Sequence, residues 1–177
     1  MHVQQGQVGG AMETQDARLL DGATLIAEAR CTTLDLAAPP APSPDEARRA
    51  SRSYAGFHGH VFPGCFVCGP AREPRDGLRI FPGNAGPHGL LAAPWTPDAS
   101  LADAAGRVRP EFLWSALDCP GGFAVLPPVG DVAVVLGEMC ASLEGEVVAG
   151  EDCVVTAWSL GVDGRKHFAA SAVYGAG

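Results

Sequence analysis

Two hydrophobic periods divide the second half of this chain. From Arg109 to Gly122, RPEFLWSALDCPGG, the residues Phe112, Leu113, Trp114, Ala116 and Leu117 cover most of a helical circumference, so the spacing predicts a helix packed on nearly all sides. Its polar residues Glu111, Ser115 and Asp118 stand at i, i+4 and i+7. At ~100° per residue they share one edge of the helix. Beyond it the period falls to two. Ala133, Val135, Gly137, Met139, Ala141 and Leu143 make one apolar strand face. Cys153 to Leu160 and Phe168 to Tyr174 follow as strands joined by a turn at Gly161-Val162-Asp163-Gly164.

The first half is more broken. Ala23 to Arg30 alternates loosely and reads as a strand, and Leu36 to Pro44 is a Pro/Ala linker. Ser43-Pro44-Asp45-Glu46 has a capping serine, a proline at the first helical position and acids in the first turn. It predicts an exposed helix to about Tyr54 that carries Arg48, Arg49 and Arg52. His58 to Asp76 reads as a loop, and Leu78–Phe81 and Gly89–Trp95 as short strands around a turn at Pro82 to Gly86. The sum is an α+β domain, an antiparallel sheet wrapped around one buried helix. Residues 1–18 are expected to be a flexible tail and 19–177 a single domain.

Composition narrows the function classes. The 177 residues are 47% hydrophobic, enough for one domain with a sizeable core. The formal net charge of -8 argues against nucleic acid as a partner, since phosphate backbones select basic surfaces. No run approaches the ~18 apolar residues of a membrane span, and no secretory signal is visible. Reduced thiols and a cytoplasmic location are the matching expectation for the six cysteines.

A carboxylate among apolar groups costs free energy unless it is paired or performs chemistry. The edge bearing Glu111, Ser115 and Asp118 is therefore either a solvent-facing stripe or a site. Cys119, next to Asp118, has no histidine nearby in sequence to activate it as a nucleophile. Cys65-x-x-Cys68 follows His58 and His60. Packing of small thiols beside a turn is its expected role, and no metal or cofactor is expected. A tetrahedral zinc site and a redox pair stay open as alternatives. Arg72, Arg75 and Arg79 gather beside this loop, either as phosphate-binding groups or as partners of Glu73 and Asp76.

The order of elements, with Ala116-Leu117-Asp118 in the central helix, resembles the hotdog-fold acyl-CoA thioesterase superfamily. The segments HVFPGCFVCGPAREPRDGLRIFPG (60–83) and PEFLWSALDCPGG (110–122) are similar to an uncharacterised bacterial branch of it. The resemblance implies a curved antiparallel sheet around a long central helix, and an acyl-CoA or related acyl-thioester substrate. It implies Asp118 as general base or nucleophile, Ser115 as a positioning group, and the Glu111 N–H as oxyanion donor. Arg72, Arg75, Arg79 and Arg109 would meet the substrate's phosphates. It also implies a homodimer or dimer of dimers with Asp118 near the partner; where such relatives usually continue into another strand, the sequence reads Tyr174-Gly175-Ala176-Gly177. Where such enzymes carry His-Gly-Gly at the helix start, this chain has Arg109, Pro110 and Glu111. Proline has no N–H to offer an oxyanion. A non-catalytic acyl- or ligand-binding protein on the same scaffold is the alternative.

Overall fold

The computed structural model describes residues 16–125 and 133–175. Two helices and six strands organise them, all strand pairs being antiparallel. The first pair, β1 (Ala17–Asp21) and β2 (Thr24–Ala29), forms its own hairpin. The second sheet runs in the order β3 (Gly83–Asn84), β4 (Leu91–Trp95), β5 (Cys153–Asp163), β6 (Lys166–Tyr174). The expected β pattern from Ala23 to Arg30 is met by β2, whereas Ala17 and Arg18, assigned to the tail, belong to β1.

Helix α1 (Pro44–Ser51) starts as its sequence requires. The Ser43 hydroxyl accepts from the Glu46 N–H, and the Glu46 carboxylate accepts from the Ser43 N–H at 2.8 Å. This reciprocal pair satisfies donors that a helix start otherwise leaves unbonded. It also holds the Glu46 carboxyl below its ordinary pKa. The expected exposure of α1 holds for one side only. Ala47 and Ala50 are buried in one cluster with Ala92 and Val154, while Arg48 and Arg49 stay exposed. Small residues on that side let the helix approach the sheet closely.

Helix α2 (Pro110–Val125) packs against β5 and β6 and buries Leu113, Ala116, Leu117, Pro120 and Gly121. Pro120 lies inside the helix, so the ladder lacks the N–H that would bond to the Ala116 carbonyl. The Ser171 hydroxyl of β6 donates to the Leu117 carbonyl, tying the helix to the sheet in the same turn. The main core gathers Ile80, Ala93, Trp95, Leu113, Ala116 and Val155 around these contacts.

Three expectations are overturned. Residues 78–81 form no strand. Instead the Leu78 and Ile80 N–H groups donate to the carbonyls of Phe66 and Val67 in the preceding loop. The alternating run 133–143 forms no strand either. Val134, Val135 and Leu136 are all substantially exposed, and the run is anchored only near Ala141, which packs on Leu117 beside Met139 and Leu143. Alternation records which side is apolar, but a strand also needs a neighbour with free backbone groups. Finally, β5 and β6 run on through the expected turn at 161–164. The reversal is at Gly164-Arg165, with Asp163 paired to Lys166, and Gly161 marks a register shift in the ladder. In consequence the described strands make sheets of two and four strands with α2 on one face, rather than a single sheet enclosing a long central helix.

Gly83 is where β3 meets α1, and a Cβ there would collide with the backbone carbonyl of Ala50. Gly83→Ala is expected to destabilise the protein by about 1–3 kcal/mol, as overpacking of a tight contact does. A urea midpoint unchanged from wild type would contradict the close approach.

Candidate functional site

The C-terminal half of α2 borders a cavity of about 1400 Å³. Asp118, Cys119 and Phe123 line it from the helix, His60 and Phe62 from the loop before β3, and Arg165 and Lys166 from the β5–β6 turn. Asp118 is half-buried there, and burial pushes its carboxyl above the ordinary aspartate range.

Of the three polar residues on the predicted helix edge, the structure brings only Asp118 to this cavity. Ser115 turns its hydroxyl back to the Glu111 carbonyl at 2.8 Å. Glu111 is exposed beside Arg109, with 3.4 Å between their charged groups. The three share an edge, but only the last turn of that edge reaches the cavity.

The four arginines expected at substrate phosphates are also spread out. Arg72 bonds the Gly64 carbonyl and Asp76, and Arg75 pairs with Asp98 at 2.9 Å. Arg79 donates to the Arg72 carbonyl and lies over the Phe81 ring, and Arg109 lies over Phe112. Arg75 and Arg79 line a separate depression of about 460 Å³ with Trp95 and Asp98. None of the four lines the Asp118 cavity among the described residues.

What the chain does assemble beside Asp118 is a sulfur cluster. Cys65 and Cys68 leave a tight turn in which the Gly69 N–H donates to the Cys65 carbonyl and the Ala71 N–H to the Pro63 carbonyl. Gly69 is needed for this closure, since a Cβ there would stand 2.5 Å from the Cys65 backbone and the Pro63 carbonyl oxygen. Cys119 arrives from the buried face of α2. Its Sγ is 3.5 Å from that of Cys65, which is 3.6 Å from that of Cys68, and all three lie within 4.8 Å of one another. His60 adjoins the group at Cys68, its Nε2 3.3 Å from the Cys68 Sγ. His58, the other histidine of the loop, is exposed.

No protein-family model, curated protein or solved structure matches the chain. Tyr54 is fully buried beneath the cluster, donates its hydroxyl to the Cys68 carbonyl at 2.8 Å and packs its ring against His60 and Phe123. Burial raises its pKa. The Cys68 thiol is drawn down to about 6, first by its hydrogen bond with Cys119 and then, against its own burial, by His60 and Cys65. The Cys119 thiol moves up correspondingly, through that same bond and its burial. Cys119 was legible as a member of an apolar stripe with Phe112, Ala116 and Phe123, spaced four, three and four residues apart. Which loop would cover that stripe is a long-range fact that local spacing does not hold.

Gly69→Ala should disrupt the turn, lowering stability by about 1–3 kcal/mol and raising the reactivity of Cys65 and Cys119 toward a thiol reagent in the native protein. Unchanged labelling rates together with an unchanged melt would contradict the tight closure.

Proposed function

We propose that the protein hydrolyses acyl thioesters, with Asp118 as the reacting carboxylate. The observation that carries this reading is the position of Asp118, half-buried on the helical wall of a cavity large enough for an acyl chain. Phe62, Phe123, Val134 and Leu136 give the cavity apolar lining, and Arg165 and Lys166 give it positive charge at the β5–β6 turn. An acyl group needs the first, and the phosphates of a coenzyme A or pantetheine carrier need the second. In the reaction Asp118 takes a proton from water while the water oxygen bonds to the thioester carbonyl carbon. The carbon–sulfur bond then breaks, and the departing thiolate takes up the proton. The same reading takes the four-stranded sheet with α2 on one face as a hotdog-like core, acting in a reducing compartment such as the cytoplasm.

One observation favours a second reading, that the protein binds acyl groups without cleaving them. The first turn of α2 does not line the cavity among the described residues, and it begins with Pro110. An oxyanion donor at that helix start is therefore not at hand. Thiol release from a panel of acyl-CoA substrates separates the two. Asp118→Asn is expected to lower the rate by about 100- to 10,000-fold, the usual contribution of a general base. Lys166→Ala should raise KM for coenzyme A esters more than it lowers kcat. Equal turnover in wild type and Asp118→Asn would remove the catalytic reading, and binding without turnover would establish the second.

Assembly follows from the β1–β2 hairpin. Leu19, Leu20, Leu25 and Ile26 are each half-exposed or more. A lone two-stranded hairpin is at best marginally stable in water. A second copy of the chain, making the expected homodimer, would bury this surface. Light scattering should give a dimer at micromolar concentration, and Leu19→Asp with Ile26→Asp should give a monomer. A monomeric wild type would contradict this.

A further inference from the structure

We propose that His60, Cys65, Cys68 and Cys119 are the four ligands of a structural zinc ion that clamps the loop before β3 onto α2. Zinc bonds of about 2.3 Å to sulfur and about 2.0–2.1 Å to nitrogen, at tetrahedral angles, put paired sulfurs about 3.8 Å apart and sulfur and nitrogen about 3.6 Å apart. The cluster has sulfurs at 3.5 and 3.6 Å and a nitrogen-to-sulfur distance of 3.3 Å. A few tenths of an ångström of outward movement would admit the ion among the three sulfurs, and the His60 ring, which lies beside Cys68 rather than within reach of all three, would swing in as the fourth ligand. Three thiolates and one imidazole are a donor set that suits zinc, and a Cys-x-x-Cys turn closed by a glycine is a compact way to present two of them.

The arrangement also supplies what the Cys-x-x-Cys segment lacks by itself. His58, His60, Cys65 and Cys68 crowd into eleven residues, whereas structural sites bring separated ligands together across a fold. Cys119 supplies the separated ligand, 54 positions beyond Cys65. Simple apolar packing gives no reason for three sulfurs to converge on one point with an imidazole beside them. A disulfide would use two sulfurs, strand the third and require an oxidant. A metal ion uses all four groups.

Ligation has defined proton consequences. The thiols give up their protons to solvent as Zn²⁺ binds. The His60 Nε2 exchanges its contact with Cys68 for the metal, and the ring proton then sits on Nδ1. That nitrogen now accepts from the Phe62 N–H at 2.9 Å, so this bond must open when the ion is held. With four protein ligands the ion has no open position for water or substrate. Its role is to hold the loop against the turn of α2 that carries Asp118.

Metal analysis of the full-length protein, purified without chelator, is expected to give about one zinc per chain. Cys119→Ser and Cys68→Ser should lose it, and Cys140→Ser, outside the cluster, should keep it. His60→Ala should weaken zinc affinity by more than about 10-fold, since even outer-shell losses commonly cost that much. If the cysteine variants fail to fold, wild-type protein stripped by chelator and given Co²⁺ alone provides the readout. Tetrahedral d–d bands with a near-ultraviolet thiolate-to-cobalt band support the site. Stripped protein that takes up neither Zn²⁺ nor Co²⁺, with six freely titrating thiols, would overturn it. So would zinc retained undiminished in Cys119→Ser.

Discussion

The cavity depends on one junction, the contact between the loop at residues 58–77 and the buried face of α2. The loop has little regular structure of its own beyond a short 3₁₀ turn ending at Phe57 just before it. It is held by the Cys65–Cys68 turn, by the Tyr54 hydroxyl on the Cys68 carbonyl, and by backbone bonds from Leu78 and Ile80 to Phe66 and Val67. All of these hold the Cys65–Cys68 segment whose sulfurs meet Cys119. Displacing the loop would uncover the Ala116–Cys119–Phe123 face and open the wall that His60 and Phe62 give the cavity.

That junction also explains why Asp118 differs from the other carboxylates. Eight of the described acids pair with arginines, several of them on the open surface as Asp45 is with Arg48 and Glu146 with Arg107, and such exposed pairs contribute little to stability. Asp118 follows Leu117 on the core and precedes Cys119 in the cluster, so its backbone is fixed from both sides. A carboxylate kept in a half-buried position by its neighbours in this way is placed by the fold rather than by its own partners. The β5–β6 hairpin contributes the opposite charge, because both strands run past the core and carry Arg165 and Lys166 to the cavity.

Much of this was legible in the sequence, and the boundary is instructive. The α1 start was readable because Ser43, Pro44 and Glu46 act through local bonds. Helix α2 and strands β4 to β6 were readable because each has a strong period over its own length. The run at 133–143 was misread for the same reason, since its alternation says nothing about a ladder partner. At the site, Asp118 was identified from the polar edge, but the edge could not tell which of its three residues reaches a cavity. Arg165 and Lys166 went unmarked because a basic pair in a hairpin turn is usually solvated charge. Cys119 was seen beside Asp118, yet its partners come from a loop whose placement is set by Tyr54, Ile80 and the core around them.

The most direct test of the functional account is a crystal structure of the protein with a non-hydrolysable acyl-thioester analogue of coenzyme A. The account predicts the acyl carbonyl within hydrogen-bond reach of the Asp118 carboxylate or of a water it holds, with carrier phosphates beside Arg165 and Lys166. An analogue seated instead in the depression lined by Arg75 and Arg79, with the Asp118 cavity left to solvent, would contradict it.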